Sequence, residues 1–178
     1  MDEARKPMII AIASISGGGK TTVTEKLNEV LPKSKALFFD DYDLEGPEDV
    51  LDWLNRGNNY NEWNLNPFVK DLEELLSESL DYVVLDFPFS YKHDQTSAYI
   101  DFSIFINTPL DIALARRIIR DFQDDSVANI VENMKHYNSH GRRAYLEMLH
   151  TIQPNSDFIV DGSLPVAKII NTILEKVQ

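Results

Sequence analysis

The chain alternates between short, nearly continuous apolar runs and longer stretches in which apolar residues return every three or four positions. "MIIAIAS" (8–14) has the pattern of a strand buried on both faces. A glycine-rich turn follows, then "TTVTEKLNEVL", where Val23, Leu27 and Val30 keep helical spacing and Pro32 ends the helix. "ALFF" (36–39) predicts a second buried strand, closed by the acidic run Asp40-Asp41-Tyr42-Asp43. Gly46-Pro47 predicts the opening of a helix through Leu54, with Gly57 closing it. A polar, aromatic-bearing stretch (58–68) leads to a helix begun at Asn66-Pro67 and carrying Val69, Leu72, Leu75 and Leu76.

"YVVLDF" (82–87) and "DFSIFIN" (101–107) predict strands three and four. Thr108-Pro109 caps a helix whose inner face reads Ile112, Ala115, Ile119 and Phe122. The polar segment "RDFQDDSVAN" precedes a long helix over roughly 126–149. "DFIVD" (157–161) predicts a fifth strand, and the last helix turns Val166, Ile169, Ile170, Ile173 and Val177 inward. Strands alternating with helices predict an α/β fold, a parallel sheet of about five strands with helices on both faces. With 178 residues, no repeat and no long linker, the chain reads as a single domain, 1–178.

Composition narrows the function classes. A net charge of −12 argues against a nucleic-acid partner, because a phosphate backbone needs a basic surface. The same balance argues against an anionic membrane surface, yet leaves room for a small anion held by a few local amides and cations. Cysteine is absent, which removes disulfides, thiolate catalysis and cysteine-ligated metals. His93, His136, His140 and His150 show no metal-ligand spacing. The opening "MDEARKP" lacks the apolar core of a signal peptide, and no apolar run approaches membrane-span length, so a cytoplasmic protein is expected.

"ASISGGGKTT" (13–22) matches the second half of the Walker A pattern G-x-x-x-x-G-K-[ST], with Ser14 where the first glycine would stand. Such a loop needs glycines so that backbone N–H groups can curl around phosphate oxygens, and a helix N-terminus directly behind it. Ser16, Gly17, Gly18, Gly19, Lys20, Thr21 and Thr22 are therefore the candidate nucleotide-binding residues. Lys20 would bridge the β- and γ-phosphates, and the Thr21 hydroxyl would ligate Mg²⁺. A small residue can stand at position 14, where the strand ends.

In an open α/β sheet ligands bind beyond the carboxyl ends of the strands, which is where Asp40, Asp41 and Asp86 fall. Transfer of a phosphoryl group to an alcohol needs one carboxylate beside the attacking hydroxyl and another for the metal. Asp40 takes the first role, with Asp41 beside it, and Asp86 the second. Tyr42, Tyr60, Trp63, Phe89 and Tyr91 flank these acids and offer rings on which a planar acceptor could stack.

These residues resemble the uridine kinase family of P-loop kinases, which includes nicotinamide riboside kinases. "SGGGKTT" looks like the family's phosphate loop, "FFDDYD" is similar to its acidic-aromatic motif after strand two, and "IDFSIFINTPLDIALARRIIRD" resembles its fourth strand and lid-opening helix. The resemblance runs from Met8 to about Asp161 and implies a P-loop NTPase fold, ATP and Mg²⁺, and Asp40 as catalytic base. It also implies Arg116 and Arg120, i and i+4 on one helix face, as ligands of the phosphates, with Arg120 acting on the transferring group; Arg142 and Arg143 are further candidates.

Three departures accompany the likeness. They are Ser14, an aspartate followed by phenylalanine (Asp86-Phe87) where the family has glutamate and glycine, and "FQDDSVAN" in place of an arginine-rich lid over about 121–128. The expected function is ATP-dependent phosphorylation of a hydroxyl on a small nucleoside-like molecule. Two alternatives stand beside it: a kinase for another small acceptor, such as a nucleotide or sugar acid, and an ATP-binding module whose output is conformational.

Overall fold

The computed structural model describes residues 6–178, so the first five residues of the opening segment read for a leader lie outside the described residues. Five strands form one parallel sheet in the order β2-β3-β1-β4-β5: β1 Met8–Ala13, β2 Ser34–Phe38, β3 Tyr82–Asp86, β4 Phe102–Asn107 and β5 Phe158–Asp161. All five apolar runs became strands: β1, β3 and β4 are buried through their centres, while the edge strands β2 and β5 leave Lys35 and Ile159 exposed. Among the described residues no helix is long and apolar enough to cross a membrane.

Alternation along the strands divides the core in two. Ile10, Ile12, Val84, Ile104 and Val160 face α1 (Lys20–Val30) and α8 (Val166–Val177), meeting Val23 and Leu27 from the first and Ile169, Ile170 and Ile173 from the second. Ile9, Ala11, Leu85 and Phe105 face the opposite layer, built from α3 (Asn66–Leu76), the connection 87–101 and the end of α7 (Arg142–Thr151). Phe87 is central there: it stacks on Phe68 with ring centroids 5.5 Å apart and meets Phe39 and Phe89 edge-on.

Several boundaries move from their predicted places for local reasons. The helix expected from Gly46-Pro47 is α2, Val50–Asn55; Asp49 caps it by accepting from the N–H groups of Leu51 and Asp52, while Gly46 gives room to the Trp63 ring. Asn66 is not the cap of α3, which has Leu65 in that place. A short helix, α4 (Asp94–Ser97), interrupts the connection after β3 and has no periodic signature at that length. The long helix expected over 126–149 is α6 (Val127–His136), a π-turn at Tyr137–Gly141, and α7.

The inner face predicted for the helix after β4 is corrected. In α5 (Leu110–Phe122) Ala113 is buried, whereas Ala115 is exposed and Ile119 is 66% exposed. Gly17 packs against the Ala113 carbonyl so closely that only a residue without a side chain fits, and this contact sets the rotation of the helix. Thr108 does not cap α5 either; its hydroxyl goes elsewhere.

The Phe87→Ala variant is expected to lose about 3–5 kcal/mol of stability. Urea denaturation monitored by far-UV circular dichroism would measure this, as a lowered midpoint with an unchanged slope.

Candidate active site

The site forms where β1 ends. Gly17 and Gly19 have φ of 80° and 102°, the left-handed region that glycine adopts freely, and the chain between them curls into α1. A cleft of about 480 Å³ opens over this turn, lined on one side by Ser14, Ile15, Ser16, Gly17, Gly19, Lys20, Thr21 and Thr22. Gly18 sits buried behind the loop rather than on the cleft wall. Ser14 is tolerated at the first-glycine position because it meets Gly18, which has no side chain to contest the space; a Cβ there would lie 2.7 Å from Ser14 Oγ.

The alternation of β3 turns Asp86 to the face shared with Val84, which is the face covered by α1. Its carboxylate therefore meets the first turn of α1. Thr21 Oγ1 donates to Asp86 Oδ2 at 2.6 Å, and Lys20 Nζ lies 2.9 Å from Oδ1. Asp86 is 1% exposed, so the ammonium and the hydroxyl are what keep a buried negative charge tolerable. Oδ1 has the ion pair but accepts no hydrogen bond, which leaves it acceptor capacity beside the Thr21 hydroxyl.

Asp40 stands in the 3-10 turn Phe39–Asp41 that directly follows β2. Its side chain is 75% exposed and its Oδ2 is 3.4 Å from Lys20 Nζ. Beyond Asp40 the cleft is closed by Phe39, Pro88 and Met148, with Arg116 and Arg120 on the side of α5. Arg116 reaches the Gly162 carbonyl with both terminal nitrogens at 3.4 Å and flanks Gly19. Arg120 forks onto Asp121 at 2.6 and 3.0 Å; this bond raises the guanidinium further above its ordinary range and holds the Asp121 carboxyl below its own. An exposed pair of this kind is worth about 0–1 kcal/mol, so an incoming anion can take Arg120 at small cost.

The aromatic residues expected to face an acceptor are mostly turned inward. Tyr60 and Phe89 are buried, and with Trp53 and half-buried Trp63 they make edge-on and tilted contacts at 4.9–5.3 Å. The Tyr60 hydroxyl pairs with Thr151 at 2.8 Å, which fastens this cluster to α7. Tyr42 donates to Asp71, and burial followed by that bond raises its phenol well above the usual range. Tyr91 lies at the opposite end of the sheet, because the chain after Phe87 runs back down to the start of β4; its hydroxyl donates to Asp157 ahead of β5. Asp41 is exposed beside the cleft mouth and is not part of its wall. Arg143 points to Asn55 of α2, and so does not face the phosphate turn.

What the pattern did not reveal is the wall made by Phe39, Pro88 and Met148. By sequence Phe39 ends the apolar run 36–39, and Met148 falls within the helix expected over 126–149 with nothing to mark it as a cleft residue. Only the packing of α7 over α2 brings that methionine to the cleft. The segment 121–128 spans the end of α5, a turn and the first residues of α6, where Ser126 accepts from the Asn129 N–H as the cap. Among the described residues there is no cluster of three or more His, Asp or Glu side chains shaped to cage a metal. One carboxylate and one hydroxyl at the end of a phosphate turn suit Mg²⁺, which takes much of its remaining coordination from water and substrate phosphates.

No family model matches the chain. Among curated proteins, the uridine kinase of Schizosaccharomyces pombe is 26% identical over 208 aligned positions, which cover 95% of this chain and 44% of that protein. This chain thus spans less than half the length of that relative. The uridine kinase of Borrelia hermsii is also 26% identical, over 85% of each chain. Among solved structures, the tunicamycin resistance protein of Deinococcus radiodurans superposes with a TM-score of 0.60 at 19% identity, covering 97% of this chain and 96% of that one. The shikimate kinase of Aquifex aeolicus superposes at 0.52 with 15% identity, over 96% of each. The likeness expected from the phosphate turn and the helix after β4 is borne out at this level: in sequence the chain is similar to uridine kinases, and in structure it has the fold of the P-loop kinases.

Proposed function

We propose that this protein is an ATP-dependent kinase that moves the γ-phosphoryl group to a hydroxyl of a small, uncharged, nucleoside-like acceptor. One observation carries the reading: Lys20 and Thr21 at the start of α1 meet the carboxylates of Asp86 and Asp40, from the ends of β3 and β2, at one cleft. Those residues come from three separate stretches of the chain, and a plain glycine turn would not call for an ammonium, a hydroxyl and two carboxylates at one cleft.

In this reading the N–H groups of the turn and the N-terminus of α1 hold the triphosphate of ATP. Lys20 leaves its ion pairs for the β- and γ-phosphates. The residues present fit Mg²⁺, which the Thr21 hydroxyl and the Asp86 carboxylate would hold, and which neutralises phosphate charge when bound. Asp40 accepts the proton of the acceptor hydroxyl as its oxygen bonds to the γ-phosphorus and the bond to the β-phosphate oxygen breaks, leaving ADP. Arg116 and Arg120 stabilise charge on the transferring group. Closing of the α5–α6 turn over the cleft would exclude water from the phosphoryl group.

The acceptor end supports an uncharged molecule. Its apolar lining is Phe39, Pro88 and Met148, beside Asp40, whose carboxylate lies 3.4 Å from Lys20 Nζ. With Lys20, Arg116 and Arg120 engaged by the phosphates in this reading, an anionic acceptor such as a sugar acid or a nucleotide would meet the Asp40 carboxylate without a cation left for it among the cleft residues. The inward turn of Tyr60 and Phe89 favours a second reading, a nucleotide-binding module with no acceptor site. A panel of nucleosides, ribosides and sugar acids incubated with Mg·ATP separates them: transfer to an uncharged alcohol supports the kinase, and tight ATP binding with no acceptor phosphorylated supports the module.

The Lys20→Ala variant is expected to lose roughly 100- to 1,000-fold in kcat, measured as ADP release dependent on acceptor. Asp40→Asn should bind ATP like the parent and turn over about 100- to 10,000-fold more slowly; an unchanged kcat would move the base elsewhere. Met148→Ala should raise the acceptor KM roughly fivefold and leave the ATP KM unchanged, because about 1 kcal/mol of apolar contact from a half-buried side chain is at stake on the acceptor side alone.

A further inference from the structure

Thr108 is a buried polar residue directly after β4, and a hydroxyl so placed needs a partner. Its partner is not the N-terminus of α5, which begins two residues later without a side-chain cap. Thr108 Oγ1 instead donates to the carbonyl of Gly18, in the phosphate turn, at 2.8 Å. The chain after β5 is shaped around this hydroxyl. A Cβ at Gly162 would stand 1.9 Å from Thr108 Oγ1, and the Gly162 N–H donates to the Asn107 carbonyl at 2.9 Å, so the glycine backs the threonine directly.

The consequence follows from the peptide plane. The peptides here are trans, so the carbonyl of Gly18 and the N–H of Gly19 point in opposite directions across one rigid plane. With the carbonyl drawn down to Thr108, the Gly19 N–H is turned up toward the cleft, which Gly19 lines. It has no backbone acceptor among the described residues, as a donor kept for an anion would. Gly19 can hold this plane because its φ is 102°.

We propose that Thr108 is a positioning residue for nucleotide binding: its buried hydroxyl fixes the Gly18–Gly19 peptide so that the Gly19 N–H faces the triphosphate. The inference rests on the reading of this turn as a nucleotide site, and its test needs no knowledge of the acceptor. Calorimetric titration with Mg·ATP would compare the parent with Thr108→Val, which keeps the shape and removes the donor, Thr108→Ser, which keeps the donor, and Lys20→Ala. The expected result is roughly five- to tenfold weaker binding for Thr108→Val and binding within about twofold of the parent for Thr108→Ser.

A merely structural role would not separate valine from serine in this way. Nor would it act on the Gly19 amide proton, whose NMR resonance should move downfield on adding Mg·ATP in the parent and Thr108→Ser but much less in Thr108→Val. Should Thr108→Val fail to fold, Thr108→Ala reads the same constant. Lys20→Ala losing affinity while the valine and alanine variants bind like the parent would overturn the role of Thr108 and leave the nucleotide site standing. Lys20→Ala binding like the parent would overturn the site, and the inference with it.

Discussion

A buried carboxylate at the end of a central strand is the constraint around which this molecule is arranged. Asp86 is almost fully enclosed, and its charge is tolerable only because Lys20 and Thr21 arrive at bonding distance from the first turn of α1. Breaking a buried pair by removing one partner typically costs about 3–5 kcal/mol. The start of α1, the end of β3 and the turn between β1 and α1 are thereby tied into one unit. The same bonds hold in place the groups that a magnesium nucleotide would use under the proposed function, which would then exchange one set of charge partners for another.

Glycines do separate jobs around that unit. Gly17 admits the Ala113 carbonyl of α5, Gly18 leaves room for Ser14 and takes the Thr108 hydroxyl on its carbonyl, and Gly162 admits Thr108 from behind. The phosphate turn is thus pressed from both sides by neighbouring strands and helices, which restrains a loop that would otherwise lose much conformational entropy on meeting an anion. Arg116 and Arg120 stay on the outer surface of α5, the first resting on a backbone carbonyl and the second on a weak exposed ion pair. Neither contact is strong enough to stop these cations turning toward an anion in the cleft.

The wall of the cleft beyond Asp40 is organised differently. Trp53, Tyr60, Trp63 and Phe89 form a packed aromatic layer, fastened to α7 by Tyr60–Thr151, by Asn58–Glu147 and by Arg143–Asn55. That layer does not line the cleft, whose apolar wall is Phe39, Pro88 and Met148 beside the exposed carboxylate of Asp40. Helical backbone continues from α6 through the π-turn at Tyr137–Gly141 into α7, and α7 packs on α2.

Much of this was legible in the order of residues. Each buried strand announced itself as a continuous apolar run, because a strand covered on both faces has no polar position to spare. The turn after β1 was readable because its glycines set a backbone geometry that depends on only a few consecutive residues. Asp40 and Asp86 were readable as strand-end acids, since a parallel sheet gathers those ends on one side. The rotation of α5 was not: Ile119 has the spacing of a core residue and stands in solvent, because close contact between Gly17 and Ala113 decided which face turned inward. Nor were the inward turn of Tyr60 and Phe89, the arrival of Met148 at the cleft, or the bond from Thr108 to Gly18. Periodicity states that a segment has an apolar face; which neighbour covers it, and which buried hydroxyl meets which carbonyl, depends on residues brought together from distant parts of the chain.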